Sequence, residues 1–226
     1  MHILLTAATT FEILPTVDWL RDHAETFEEN RLTFREVTVE VLFTGVGLTA
    51  TAFALGHRLA RLPVPALAIQ AGIAGAFDRD LKPGTVVRVI SETMGDLGAE
   101  ERDGSLLSMD ALGLPPGPPF DERGRLVSPT ITDLPFPTAH GLTVNRVSGS
   151  PATIAARRER FPHAEIETME GAAFFYACLQ IGIEPLQLRA ISNFVEPRNR
   201  DNWQMGLAIG ALNDSLRGIV GSFIDR

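Results

Sequence analysis

Three polar side chains, far apart in the chain, each stand where a predicted strand gives way to a turn or helix. They are Glu12, Glu170 and Asn193. A carboxylate beside a cleft can act as a general acid or base. A second carboxylate can accept hydrogen bonds from both hydroxyl groups of a ribose. A side-chain amide can donate and accept hydrogen bonds at the same time. These residue types therefore suit a small polar ligand.

Each of the three also has a purely structural interpretation. Thr9-x-x-Glu12 matches a capping box, in which the glutamate accepts a hydrogen bond from an amide at a helix start. The helix dipole would stabilise Glu170 where it stands, and Asn193 is a common turn residue. Taken singly, each residue leaves both interpretations open.

A further polar segment lies just before the last predicted helix. Arg198 and Arg200 offer two guanidiniums there, and Trp203 offers an indole. Arginine forks suit a carboxylate, and an indole can cover an aromatic ring. The alternative is a solvated loop in which Asp201 or Asn202 caps the helix.

Other chemical patterns are incomplete. The stretch Gly45-x-Gly47-x-x-Ala50 follows a strand, as in a dinucleotide-binding loop, but no acidic residue lies between Glu40 and Asp78, where that fold requires one. Cys178 and the five histidines lack metal-ligand spacing. No Gly-x-Ser-x-Gly elbow occurs in the sequence. We therefore expect neither a metal nor a cofactor.

Composition excludes several classes of protein. The chain has 226 residues, 45% of them hydrophobic, which predicts one domain over residues 1–226. A formal net charge of -8 without any run of Lys or Arg argues against a nucleic-acid partner. The opening segment is apolar for too few residues to be a signal peptide or membrane span, so no membrane is expected. One cysteine, Cys178, in an apolar run fits a reducing cytoplasm.

Strands and helices are predicted to alternate along most of the chain. The predicted strands are His2 to Ala7, Glu36 to Phe43, Ala66 to Gln70, Thr85 to Ile90, Leu142 to Val147, Ala164 to Glu167 and Leu186 to Ser192. The predicted helices are one with Phe11, Leu14, Val17 and Leu20 on its apolar face, then Thr49 to Leu62, Thr153 to Arg160, Met169 to Gln180 and Asn202 to Phe223. The proline-rich stretch Leu112 to Pro137 predicts a long loop.

This alternation predicts an α/β sandwich with a mostly buried sheet between helices. In such sheets ligands bind where loops leave the carboxyl ends of strands. Three polar or glycine-rich segments follow predicted strands directly: Thr9 to Glu12, Ile73 to Phe77 and Ser192 to Arg200. We expect them to meet around one site.

In chain order, four segments resemble the ordered signatures of the nucleoside phosphorylase and nucleosidase superfamily. They are Glu12, Gly72 to Gly75, Met169 to Ala173 and Arg189 to Asn193. The stretch Ile191 to Arg200, with Trp203, is similar to the futalosine hydrolase branch. The resemblance implies a three-layer α/β sandwich with a twisted mixed central sheet, assembled as a homodimer or larger homo-oligomer. It also implies a hydrolase of the N-glycosidic bond of a small nucleoside, namely futalosine cleaved to hypoxanthine in menaquinone biosynthesis.

The resemblance also implies roles for single residues. Glu12 would activate water, Met169 and Glu170 would bind the ribose, and Asn193 stands where related methylthioadenosine nucleosidases have an aspartate that assists purine departure. Candidates for the base pocket are Ile73, Ala74, Gly75, Ser192 and Ser150. Candidates for the rest of the substrate are Val46, Arg198, Arg200 and Trp203.

The asparagine bears on the choice of base. Hypoxanthine presents two adjacent acceptors, N7 and O6, whereas adenine presents an acceptor beside an amino donor. An amide can donate to both acceptors and an ionised aspartate to neither, so Asn193 favours a 6-oxopurine.

Water is the expected nucleophile, because the loop Thr6 to Pro15 contains no arginine or lysine to hold phosphate. A methylthioadenosine or adenosylhomocysteine nucleosidase, a purine nucleoside phosphorylase and a non-catalytic nucleoside-binding module remain as alternatives.

Overall fold

A ten-stranded mixed sheet forms the centre of the fold in a computed structural model, which describes residues 1–61, 63–129 and 134–224. The elements in chain order are β1 (His2–Ala7), α1 (Thr10–His23), β2 (Thr26–Glu28), β3 (Arg31–Phe34), β4 (Val37–Phe43), α2 (Leu48–Leu59), β5 (Leu67–Ala76), β6 (Val86–Met94), β7 (Ala99–Glu100), β8 (Leu106–Leu107), β9 (Arg125–Val127), β10 (Thr138–Thr143), α3 (Pro151–Arg160), β11 (Ile166–Thr168), α4 (Gly171–Ile181), β12 (Glu184–Phe194) and α5 (Met205–Ile224). A 3-10 turn, Arg200–Asn202, precedes α5.

Strand order explains where a site can form. The order across the sheet is β11-β10-β6-β12-β5-β1-β4-β3-β2, and β11 also pairs with β5, so that five strands close into a ring. Strand β5 lies between β1 and β12 and is parallel to both. The carboxyl ends of these three strands therefore meet at one edge of the sheet.

Helices cover both faces of the sheet, as a three-layer sandwich requires. Alternate residues of β1 point to opposite faces. Ile3 and Leu5 belong to the core formed with α1 and α5, while Leu4 belongs to the core formed with α2 and α4. The predicted fold class is confirmed.

The buried face of α1 differs from the predicted one. Phe11 and Leu14 are 63% and 45% exposed, whereas Glu12 and Thr16 are buried. The Thr16 hydroxyl donates to the side chain of Asn213 on α5 at 2.7 Å. Polar residues occupy this face because they have specific partners in the fold, which hydrophobic periodicity does not reveal.

Some element boundaries also differ from prediction. The segment Ala71 to Gly75, expected to leave the strand, belongs to β5 and pairs with β12. Strand β10 ends at Thr143. Val144 still donates its backbone N–H to Thr168 at 3.0 Å, and its side chain packs in a small apolar cluster with Phe77.

Short elements were missed in the sequence. They are the β2–β3 hairpin, the β7–β8 pair and β9, which lies inside the predicted loop Leu112 to Pro137. Residues 130–133 of that loop and Leu62, the predicted end of α2, lie outside the described residues. Within the described ranges, no helix combines the length and apolar character that a bilayer-spanning segment requires.

Candidate active site

A cavity of about 420 Å³ opens at the carboxyl ends of β1, β5 and β12. This volume is in the range of small-molecule sites. Its lining comes from the turn after β1, the starts of α1 and α5, the ends of β5, β11 and β12, and the loops after β4, β10, β11 and β12: Ala8, Thr9, Phe11, Glu12, Val46, Ile73, Ala74, Gly75, Val147, Ser148, Glu167, Thr168, Met169, Glu170, Ser192, Asn193, Phe194, Val195, Glu196, Arg198, Asn199, Trp203 and Met205.

Glu12 serves the helix start and the cavity together. Its Oε2 accepts hydrogen bonds from the backbone N–H of Thr9 at 2.9 Å and from the Thr9 hydroxyl at 3.2 Å, which is the capping-box contact. Its Oε1 accepts from the backbone N–H of Ile73 at 3.3 Å. Burial raises the pKa of Glu12, and the neighbouring Glu170 adds to this, while Arg189 opposes it. A buried carboxylate of raised pKa is a suitable proton acceptor.

Arg189 places a buried positive charge next to the carboxylates that line the cavity. It lies on β12, is 2% exposed, and donates to Gln187 at 2.9 Å, to Gln70 at 3.0 Å and to the backbone oxygen of Ile73 at 3.3 Å. A Cβ at position 72 would lie 2.5 Å from Arg189 Nη1 and 2.9 Å from Glu12 Oε1. Gly72 therefore lets the guanidinium and the carboxylate pass close to one another.

Glu170 is held from two sides at the start of α4. Its Oε1 accepts from the backbone N–H of Gly47 at 3.0 Å, and its Oε2 pairs with Arg189 Nη1 at 3.3 Å. The side chain is buried and lines the cavity. Because both oxygens keep lone pairs beyond these contacts, the carboxylate can accept from ligand hydroxyls.

The orientation of the Asn193 amide is fixed by its neighbours. Its Nδ2 donates to the backbone oxygen of Phe194 at 2.8 Å, and its Oδ1 accepts from the Ser192 hydroxyl at 2.7 Å. A carbonyl only accepts, so the NH2 end must face Phe194. One amide hydrogen is thus already engaged, and one remains for a ligand in this conformation. Donation to both N7 and O6, as the sequence suggested, requires release of the Phe194 contact.

On the other side of the cavity, Arg157 clasps the loop 146–149. Its guanidinium donates to Ser148 Oγ at 2.8 Å, to Glu167 Oε1 at 2.7 Å and to the backbone oxygen of Arg146 at 2.8 Å. Glu167 also accepts from the backbone N–H and the hydroxyl of Ser148, both at 2.7 Å. The clasp fixes the loop against β11. In turn, Gly149 of this loop accepts from the backbone N–H of Arg198 at 3.1 Å.

An arginine and an indole stand together at the mouth of the cavity. The Arg198 guanidinium carbon lies 5.4 Å from the ring centroid of Trp203. The Arg198 side chain is exposed and Trp203 is half-buried. This pair can meet an anionic, aromatic group of a ligand.

The profile of the Phosphorylase superfamily matches residues 3–214 of this chain. A futalosine hydrolase from Streptomyces coelicolor is 38% identical over 66% of this chain, and the match spans 63% of that protein. A futalosine hydrolase from Thermus thermophilus is 35% identical over 79% of this chain and 80% of its own length. The chain belongs to the futalosine hydrolase family of the phosphorylase superfamily. This confirms the family inferred from the sequence motifs.

The fold is found in solved structures as well. A 5'-methylthioadenosine/S-adenosylhomocysteine nucleosidase from Colwellia psychrerythraea, solved in complex with adenine, superimposes with a TM-score of 0.79. The alignment covers 98% of this chain and 95% of the nucleosidase at 19% sequence identity. At that identity the similarity concerns the fold alone.

Two of the thirteen predicted site residues lie outside the cavity, and the other eleven line it. Ser150 is exposed, and its hydroxyl accepts from the backbone N–H of Thr153 at 3.2 Å as the cap of α3. Arg200 is exposed in the 3-10 turn before α5. Ser150 is engaged as the cap of α3, and Arg200 begins the 3-10 turn that follows the lining residues Arg198 and Asn199.

The sequence did not identify the buried charged residues that hold the cavity-lining side chains and loops in place. Arg189 was noted only as part of a motif, and Glu167, Arg157 and Glu92 were not singled out. Arg189 and Glu92 have their partners far away in the sequence, and Arg157 pairs with Glu167 across a helix and a strand, so that spacing gives no signal. A charged residue inside a strand predicted to be buried, Arg189 in β12, is a hint that the sequence offered.

Glu92, on β6, is a fully buried carboxyl next to this cluster. Its Oε2 accepts from the Thr143 hydroxyl at 2.8 Å, and Thr143 Oγ1 accepts from the backbone N–H of Ala172 at the start of α4. Burial raises the pKa of Glu92 to about 7, although Thr143, Arg189 and Gln187 lower it. A side chain at position 171, which is glycine, would overlap Glu92 Oε1. The Glu92 carboxyl therefore occupies the space that the missing side chain of Gly171 leaves at the start of α4.

Proposed function

We propose that this protein hydrolyses the N-ribosyl bond of futalosine and releases hypoxanthine. The observation that carries the proposal is the convergence of Glu12, Glu170 and Asn193 on one cavity. The names of the Streptomyces and Thermus relatives support futalosine as the substrate. Menaquinone biosynthesis would then be the process that uses the product.

Glu12 would act as the general base. As the bond between the purine nitrogen and C1′ breaks, its electron pair moves to the purine and the sugar becomes oxocarbenium-like. A water molecule attacks C1′, and Glu12 takes the proton that this water loses. The departing purine anion takes up a proton from solvent and leaves as hypoxanthine. The Thr9 and Ile73 contacts fix the carboxylate in place before the ligand arrives.

Glu170 and Met169 would hold the sugar. The Glu170 carboxylate accepts from the ribose hydroxyls, and its ion pair with Arg189 keeps it in place at the start of α4. Met169 lines the cavity next to it and supplies an apolar contact for the ribose face. Hydrogen bonds to the hydroxyls strengthen as positive charge develops on the ring.

Asn193 would stabilise the leaving purine. Its free amide hydrogen donates to the base as negative charge develops there, and the Ser192 and Phe194 contacts set its direction. The remainder of futalosine carries a carboxylated aromatic group. Arg198 suits its carboxylate and Trp203 its ring, and Val46 lines the same cavity.

Hydrolysis is favoured over phosphorolysis by the charges of the cavity. Four carboxylates, Glu12, Glu167, Glu170 and Glu196, and one guanidinium, Arg198, line it in the described part of the chain. A phosphate dianion needs clustered cations, whereas water does not.

One assay separates the rival functions. The protein is incubated with futalosine, its 6-amino analogue, methylthioadenosine and inosine, each with and without phosphate, and every released base is identified. Hypoxanthine from futalosine at a rate independent of phosphate supports the proposal. Phosphate dependence would establish a phosphorylase, release of adenine alone a nucleosidase for adenine nucleosides, and ligand binding without any free base a binding module.

The proposal includes a setting for the enzyme. A reducing cytoplasm agrees with the free, buried Cys178. Assembly as a homodimer or larger oligomer agrees with the exposed apolar side chains Phe11, Val46 and Phe53. We further propose that residues 1–226 form a single domain. Analytical ultracentrifugation measures the assembly directly.

A further inference from the structure

Asn193 and Glu167 both line the cavity, and the part of the cavity between them is called the slot here. Gly75 on β5 pairs with Asn193 on one side and with Glu167 on the other. Paired residues point to the same face of a sheet, and Gly75 adds no side chain of its own there. Val195 Cγ2 and Asn193 Nδ2 lie 3.0 Å and 3.4 Å from where a Cβ of residue 75 would stand. Two strand spacings, about 10 Å, therefore separate the polar groups on the two sides. Asn193 supplies a donor to the slot, and the Glu167 side carries the hydroxyl of Ser148.

The contacts of Ser148 decide which way its proton points. A hydroxyl has one hydrogen and two lone pairs. Glu167 Oε1, at 2.7 Å, can only accept, and Arg157 Nη1, at 2.8 Å, can only donate. The hydrogen therefore goes to Glu167, and one lone pair is used by Arg157. Ser148 is 8% exposed and lines the cavity, so it offers a ligand one free lone pair and no donor.

An acceptor at this position distinguishes two kinds of purine. A 6-oxopurine carries hydrogen on N1 and can donate to Ser148. A 6-aminopurine has a bare lone pair on N1, which would face the lone pair of Ser148 without a hydrogen between them. We propose that Ser148, with its proton held by Glu167, is a specificity-determining residue that selects 6-oxopurine nucleosides by accepting from N1–H. This rests on the proposed function, since it assumes that a purine occupies the slot.

The test compares two substrates in single-residue variants of the full chain. The kcat/KM values are measured for futalosine and for its 6-amino analogue. Ser148→Ala should lower the ratio of the 6-oxo to the 6-amino rate about tenfold, the loss expected for one hydrogen bond. Glu167→Gln should lower the ratio too, because the NH2 group of Gln must face either the Arg157 guanidinium or the Ser148 backbone N–H, and the contacts that orient the serine hydroxyl are lost.

Ser215→Ala is the matched control. Ser215 donates to Ala211 within α5 at 2.8 Å and lies outside the cavity, so the ratio should stay as in the wild type. A defect that is only structural would slow both substrates equally and leave the ratio unchanged, which would overturn the assignment of Ser148. If the wild type releases no base from either substrate, the proposed function itself fails.

A binding measurement gives a second readout without turnover. Calorimetric titration with hypoxanthine and with adenine should show weaker hypoxanthine binding in Ser148→Ala, with adenine affinity unchanged or increased. Equal losses for the two bases would contradict selection at N1.

Discussion

Glu12 uses its two carboxylate oxygens for different purposes. Oε2 accepts from the amide and hydroxyl of Thr9, and Oε1 is turned toward Ile73 and Arg189. The structural and the chemical interpretations of this glutamate are therefore compatible. The cap orients the side chain, and the orientation is what general-base catalysis requires.

Replacing Glu12 by Gln should leave the fold intact and remove most of the activity. The amide oxygen of Gln can still accept from Thr9, so the helix start is retained. A general base contributes on the order of 10² to 10⁴ in rate, and kcat should fall by at least about 100-fold. Release of hypoxanthine from futalosine measures this.

The pH profile provides the control for this variant. Burial raises the pKa of Glu12, so the wild-type rate should fall, as pH decreases, at a pH above the ordinary glutamate value of 4.5. Glu12→Gln should lack this acidic limb and melt within a few degrees of the wild type. A variant with normal turnover would remove Glu12 from the mechanism.

Replacing Asn193 by Asp should shift the preference toward 6-amino nucleosides. A carboxylate accepts from an amino group but cannot donate to O6, and it would also face the carbonyl of Phe194. The ratio of 6-oxo to 6-amino kcat/KM should fall about tenfold, as expected for one lost hydrogen bond. An unchanged ratio would show that Asn193 does not contact the base.

Among the elements, the short loop between β10 and α3 is fixed by several side-chain hydrogen bonds, although it lies at the surface end of a strand. Arg157 on α3 contacts Arg146, Ser148 and Glu167 at once. Three points of attachment on one guanidinium restrict the cavity wall, and Arg198 is tied to the same loop through Gly149. The helix thus acts on the site without touching a ligand.

Arg157→Met should therefore weaken substrate binding more than the chemical step. We expect KM to rise about tenfold while kcat changes less than about threefold, since loosening of the wall costs ordering free energy on binding. Arg158→Met is the matched control, because Arg158 is exposed on the same helix. A fall in kcat for Arg157→Met without any change in KM would contradict a positioning role.

The elements differ in how well the sequence predicts them. The strands β1 and β12 could be predicted because most of their residues are apolar, as in buried strands. The end of β10 could not, because Val144 is as apolar as a strand residue yet packs in a loop. The buried face of α1 was wrong for a similar reason, since the partner of Thr16 is Asn213 in another helix.

Across the whole molecule, the site is a cluster of carboxyls around one buried guanidinium. Glu12 and Glu170 could be predicted as site candidates because each stands at the start of a helix that follows a strand. Arg189 and Glu92 could not, because their roles come from contacts between β12, β5 and β6 that appear only in three dimensions. The family and the three-layer fold were correctly predicted, since they depend on the order of motifs and elements.

Glu92 should make the stability of the whole fold depend on pH. Its folded-state pKa is about 7, above the ordinary 4.5, so the folded protein keeps a proton that the unfolded chain loses in this interval. The stabilisation is complete below about pH 4.5 and is lost as pH rises through about 7. Relative to the wild type, Glu92→Gln should gain stability over this range, by up to about 3 kcal/mol.

Urea unfolding at several pH values measures this difference. The exposed Glu159→Gln is the control, and its difference from the wild type should stay constant with pH. A constant difference for Glu92→Gln as well would mean that Glu92 does not retain its proton in the folded state.

The absence of a side chain at position 72 has a consequence for protein design. Only a hydrogen atom fits between the Glu12 carboxylate and the Arg189 guanidinium at that point of β5. Anyone who transplants this constellation into another α/β scaffold must therefore copy a gap as well as the reactive groups. An alanine in the recipient strand would push acid and cation apart, however faithfully the visible residues were reproduced.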